Sequence, residues 1–209
     1  MFLSEEKKEN KASDERRMKK SEHHTNTPSA NVQAIIDKGM PWTDPDFPPN
    51  QNSLSPNGTF KFEWKRVGDI MKNPVVFDKD INADDINQGA LGDCYFLCAL
   101  SALAEFPDRV RAIFKTQSTN VAGIYEVEFC IGGRQTSVII DDWIPINKQG
   151  KPAFCQTFEN ELWAIFLEKA FAKLHANYDV MQGGKSGMAL HLLTGFPDTD
   201  YLHGNLEQL

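Results

Sequence analysis

The 209 residues carry a formal net charge of −7 with 41% hydrophobic side chains, enough apolar material for one core and no basic footprint for nucleic acid. No run reaches the length of a membrane span, and the charged start lacks the apolar stretch of a secretory signal, so an intracellular protein is expected. Four cysteines, Cys94, Cys98, Cys130 and Cys155, show neither zinc-site spacing nor the density of a disulfide scaffold, which predicts reduced thiols.

Residues 1–30 are charged and nearly free of large apolar side chains, so they predict a disordered tail in which His23 and His24 are solvated. Residues 31–38 fit a short helix. Pro41, Pro45, Pro48, Pro49 and Pro56 make 31–59 read as an extended linker around it. Globular texture begins at Phe60, and 60–209 is the expected folded unit. Phe62, Trp64 and Val67 lead into a helical turn over 69–72, and Val75-Val76-Phe77 reads as a short extended segment.

Asp78, Asp80, Asp84 and Asp85 then fall close together. With no EF-hand pattern, spacing alone leaves a solvated acidic loop and a calcium site both open. Next comes Gln88-Gly89-Ala90-Leu91-Gly92-Asp93-Cys94-Tyr95-Phe96-Leu97, a glycine-punctuated turn that delivers one thiol to the start of an apolar helix. Asp93 suits the N-cap, Gly89 and Gly92 allow close backbone approach, and the run over 95–103 predicts a helix buried on most sides. A thiol attacks as thiolate, and a helix N-terminus favours negative charge. Gln88, six residues upstream, offers an amide donor to an oxyanion. Cys98 shares the Cys94 helix face; it reads as a packing residue, with a redox pair as the alternative.

Phe106-Pro107 ends that helix and 109–114 supplies another amphipathic turn. Ile124, Val127 and Phe129 mark one strand and Val138 to Ile140 a second, with Gly132-Gly133 as the hairpin turn. Asp141 and Asp142 follow. Neighbours on an extended chain point to opposite faces, so a shared proton site between them is not expected. The strongest helix pattern covers 159–177, its stripe of Leu162, Trp163, Phe166, Ala170, Phe171 and Leu174 facing a core, and His175 suits its C-terminal end. Gln182-Gly183-Gly184 forms a loop, and 187–194 a last short helix before Gly195.

The segment from Gln88 to Leu97 resembles the catalytic cysteine segment of the calpains, within the papain-like cysteine proteases, and the resemblance extends over about 60–201. It implies an α+β fold, the first subdomain of the calpain core, mostly helical, with a central buried helix carrying the cysteine and a small antiparallel sheet. It implies that Cys94 is the nucleophile and Gln88 the oxyanion donor, that Gly183 and Gly184 line the substrate cleft, and that calcium binds without an EF-hand through Asp85 and Glu161. Protein or peptide substrates follow. The family's catalytic histidine and asparagine segments do not occur in this sequence. The expected function is therefore a calcium-dependent cysteine endopeptidase whose nucleophile half is inactive alone and needs a second protease subdomain as partner. The alternative is a non-catalytic regulatory or binding protein derived from such a core.

Overall fold

Helix α6, Trp163–Leu174, has its apolar side chains at three- and four-residue steps, and every residue of 163–172 is buried, including Glu168 and Lys169. It belongs to a computed structural model that describes residues 26–78, 81–158 and 160–198, the side chain of Asp85 excepted. The tail expected over 1–30 lies outside the described residues up to position 25.

In chain order the elements before the hairpin are α1 (Ala30–Asp37), α2 (Gln51–Leu54), β1 (Glu63–Arg66), α3 (Val67–Ile70), a 3₁₀ turn (Ala83–Asp85), β2 (Ile86–Asn87), α4 (Cys94–Ala104) and α5 (Pro107–Ile113). Then come β3 (Ile124–Ile131), β4 (Arg134–Asp141), β5 (Trp143–Ile146), β6 (Gln156–Thr157), α6 and α7 (Ser186–Thr194). The strands form three antiparallel pairs, β1–β5, β2–β6 and β3–β4, where the sequence suggested one small sheet. The β3–β4 hairpin turns at Gly132-Gly133 as expected, in the register Ile131 opposite Arg134. The fold is mixed α+β.

Aromatic packing joins the layers. Phe96 of α4 stacks on Phe171 of α6 with ring centroids 4.2 Å apart, and Tyr125 of β3 packs on Phe166 at 4.3 Å. α4 is buried on one side only. Phe96, Leu97, Leu100 and Leu103 face the core, while Cys94, Cys98 and Ala102 lie exposed along the opposite face. The reading of Cys98 as a core residue is thus corrected. An unbroken apolar run carries no phase, and the elements that cover one side are distant in sequence.

The proposed linker is also corrected. Phe47 and Leu54 are core residues, Ser53 and Ser55 are buried, and Val32 packs with Ala122 and Ile124. Polar contacts hold the segment down. The Asp44 N–H donates to Asp141 Oδ2 at 2.7 Å, and Lys173 Nζ donates to Asp44 Oδ2 at 2.7 Å and to the Ile139 carbonyl at 2.8 Å. Proline restricts a chain's dihedrals but does not keep it out of a core.

Asp141 and Asp142 do point apart. Lys169 Nζ donates to the Asp141 carboxylate, to the Asp141 carbonyl at 2.9 Å and to the Trp143 carbonyl at 2.6 Å. Asp142 instead pairs with Arg66, whose guanidinium lies 5.0 Å from the Trp143 ring centre. Burial pulls the Lys169 ammonium below its usual pKa and Asp141 opposes that pull. Burial lifts Asp142, and Arg66 resists.

Candidate active site

The turn before α4 is gripped from two sides. On one, β2 pairs with β6 (Ile86 opposite Thr157, Asn87 opposite Gln156), and the Ala90 N–H donates to the Ala153 carbonyl at 3.0 Å. Gly89 is required there, because a Cβ at that position would lie 2.2 Å from the Phe154 carbonyl oxygen. On the other side the 181–184 loop closes in. The Gly183 N–H donates to the Gly92 carbonyl at 2.9 Å, the Tyr95 hydroxyl donates to the Met181 carbonyl at 2.9 Å, and the Gly92 N–H donates to Gln182 Oε1 at 3.4 Å. Gly184 lies so close to the Tyr95 ring that a Cβ would stand 2.6 Å from it.

Four of the sequence-predicted residues therefore meet at one turn. Cys94 is the first residue of α4 and exposed; Gln88 is exposed, and its Nε2 reaches across the turn to donate to the Leu91 carbonyl at 2.7 Å. One amide N–H of Gln88 is left to point elsewhere. Gly183 and Gly184 are exposed beside them. The arrangement holds an exposed thiol at the first position of a helix, on a turn that also carries the Gln88 amide and is flanked by the glycine loop.

Asp93 occupies the N-cap position of α4 but makes no side-chain cap bond, a departure from the expectation for that residue type. Its side chain is turned inward and is wholly buried. Burial raises its pKa to about 6, and that of the half-buried Tyr95 to about 12, the charge of Asp93 adding to the latter. The sequence reading also missed Glu168, Tyr95 and Gln182. An acid in the middle of an apolar helix was the available signal for Glu168.

The two expected metal ligands sit apart from the thiol. Glu161 does not lie on the helix predicted over 159–177, because α6 begins at Trp163; Glu161 instead bridges to Val75. Its carboxylate is buried and accepts the Asp78 N–H and, at 3.2 Å, Trp163 Nε1. Those contacts pull the chain out of helical conformation before 163. Asp85 ends the 3₁₀ turn, and its side chain lies outside the described residues. Its successor Ile86 pairs with Thr157, whose hydroxyl donates to the Glu161 carbonyl, so Thr157 links the chain beside Asp85 to the chain at Glu161. Among the described residues no three His, Cys, Asp or Glu side chains gather as metal ligands.

His175 is the C-cap of α6, with Nδ1 2.9 Å from the Phe171 carbonyl oxygen, and His191 Nδ1 lies 2.7 Å from the Phe196 carbonyl oxygen. His23, His24 and His203 fall outside the described residues. All four cysteines are free thiols, and among the described residues no helix is long and apolar enough to cross a membrane.

Comparison with known proteins adds a lineage to this geometry. The model of the calpain family of cysteine proteases matches residues 42–208. Calpain-type cysteine protease ADL1 of Oryza sativa subsp. japonica is 43% identical over 178 residues, covering 78% of this chain and 8% of that protein. Calpain-type cysteine protease DEK1 of Zea mays is 43% identical over 177 residues, with the same coverage of each. Calpain-B of Drosophila melanogaster is 35% identical over 167 residues, covering 78% of this chain and 18% of its own length. The chain thus spans less than a fifth of each of these relatives.

Proposed function

Since the chain belongs to the calpain family of cysteine proteases, we propose that it is the nucleophile-bearing part of a calcium-dependent cysteine endopeptidase acting on protein or peptide substrates. The observation that carries this reading is the exposed Cys94 at the first position of α4, with the Gln88 amide folded over the same turn. Cys94 Sγ adds to the scissile carbonyl, and the Cys94 backbone N–H and the second N–H of Gln88 Nε2 stabilise the oxyanion that forms. Gly183, with open space where a Cβ would stand, leaves room for a substrate main chain, and Gly184, packed on the Tyr95 ring, completes that side of the cleft. The imidazole that takes the thiol proton comes from a second subdomain, so the chain is inactive by itself. The free thiols suit a reducing, intracellular setting.

Calcium belongs to the same proposal, held by Asp85 and Glu161, hard oxygen ligands of the kind that ion takes. Bound there, it would supply charge that ties the 78–86 segment to the foot of α6. The buried carboxylate of Glu161 and the link through Thr157 to Ile86, next to Asp85, support the assignment.

Adding a calpain subdomain that carries histidine and asparagine to this chain tests the reading. Peptide hydrolysis is expected from the mixture, abolished by Cys94→Ala and lowered about 10²–10³-fold in kcat by Gln88→Ala. Hydrolysis that survives Cys94→Ala would overturn it. The ring contacts of His175 and His191 to carbonyl oxygens favour one second reading, a non-catalytic binding protein. A mixture that forms a tight complex yet never cleaves would select it.

A further inference from the structure

Asp93 is 0% exposed, and among the described residues no N–H or O–H reaches either of its carboxylate oxygens. Its neighbour is another acid. Glu168, at the centre of α6, is 2% exposed, its carboxyl lies within hydrogen-bonding reach of that of Asp93, and both of its oxygens accept the Cys155 N–H, at 2.9 and 3.0 Å. Two carboxylates in contact inside a core repel strongly in the low dielectric, whereas one carboxyl donating its O–H to one carboxylate satisfies both.

Among the described residues no cation acts on the pair to relieve that repulsion. Tyr95 on α4, Cys155 just before β6, and Tyr178 beyond α6 are the titratable side chains that feel the pair, and each is a neutral acid there. Asp141 acts on Tyr178 as well, but it is matched by Lys169, which is next to Glu168 on α6 and turned toward Asp141 and the Trp143 carbonyl. Cys94 adjoins Asp93 in the chain on the exposed side of the turn.

We infer that Asp93 and Glu168 share a single proton, and that this carboxyl–carboxylate bond clamps the turn carrying Cys94 onto α6 and loosens as pH rises. The clamp links three elements. Asp93 is the residue immediately before α4, Glu168 belongs to α6, and the Cys155 N–H ties in the strand segment whose neighbours Ala153 and Phe154 press against Gly89 and Ala90. Asp93 and Glu168 are positioning residues, acting on Cys94 only through the backbone. That service rests on the protease reading, whereas the shared proton rests on burial and proximity alone.

The direction of the pH effect follows from linkage. Burial lifts both acids, Asp93 to about 6 and Glu168 well above the usual carboxylate range; the charge and hydrogen bond of Asp93 raise Glu168 further, while the hydrogen bond from Glu168 holds Asp93 down. The folded chain therefore keeps protons that the unfolded chain gives up. The stabilisation is complete below the ordinary carboxylate pKa of about 4 and is lost as pH rises through the lifted values.

Glu168→Gln is the discriminating variant. Its carbonyl still accepts the Cys155 N–H, and its amide N–H donates permanently to Asp93, so the bond persists without a proton to lose. Melting temperature measured from pH 5 to pH 8 should fall with pH in the parent chain and lose most of that slope in Glu168→Gln and in Asp93→Asn. Infrared difference spectra at pH 6.5, parent minus variant, should show a protonated carboxyl C=O band. Parallel melting profiles, or no protonated band, would overturn the inference; the parent's own infrared titration decides it if neither variant folds. Neither readout involves peptide cleavage, so failure here is distinguishable from failure of the protease reading.

Discussion

Helices α4 and α6 pack against each other through Phe96 and Phe171, yet they treat their polar and small residues in opposite ways. α4 is apolar along almost its whole length and still presents Cys94, Cys98 and Ala102 to solvent. α6 carries Glu168 and Lys169 and buries both. The exposed face of α4 suits chemistry, since a substrate must reach the sulfur. The buried charges of α6 suit assembly: Lys169 is matched to the segment of Asp141 and Trp143, and Glu168 to two segments, at Asp93 and at Cys155. The proposed chemistry thus sits on the helix whose one side was left uncovered, and specificity of docking sits on the helix that is covered throughout 163–172.

The contrast can be broken by substitution. The largest effect is expected at Lys169→Met, which leaves the fully buried Asp141 carboxylate without its cation; unfolding in urea should show a loss of about 3–5 kcal/mol. A loss under 1 kcal/mol would mean that the α6 charges do not hold the assembly together. On the inner face of α4, Leu100→Ala removes a side chain that is 0% exposed, for an expected cost of about 2–5 kcal/mol by the same measurement. Calcium sharpens the picture at the foot of α6. At a free concentration near 100 Kd the ion should add about 2.7 kcal/mol of stability, read as a rise in Tm that Asp85→Ala abolishes. An unchanged Tm in the parent chain would remove calcium from the proposal. The smallest effect belongs to the outer face of α4, where Cys98→Ser should stay within about 0.5 kcal/mol of the parent. A cost comparable to Leu100→Ala would show that this face is covered after all.

Much of the local structure was legible in the residues. The hairpin register follows from alternating Val and Ile with Gly-Gly between, and α1 and the start of α4 fall where the pattern put them. The meeting of Cys94, Gln88, Gly183 and Gly184 at one turn was legible only through the resemblance, because nothing local brings 183 to 92. Three features were not legible. The proline-bearing segment is fastened by Asp44 and filled by Phe47 and Leu54, and proline spacing says nothing about such partners. The helix expected from 159 starts at Trp163 because the Glu161 carboxylate is engaged by Asp78 and Trp163. Asp93 reads as a cap and is instead a buried acid, since Glu168 waits behind it.

Sequence by itself determined the local conformations: where a helix can begin, where a chain must turn, and that a thiol stands at a helix's first position. Those depend on backbone dihedrals and on side-chain periodicity within a few residues. Tertiary structure alone decided which side of α4 meets water, and that Asp93 and Glu168, 75 positions apart, share one dry site. Burial and pairing are properties of surfaces brought together from far along the chain, and a charge inside them takes its protonation from neighbours that no local pattern names.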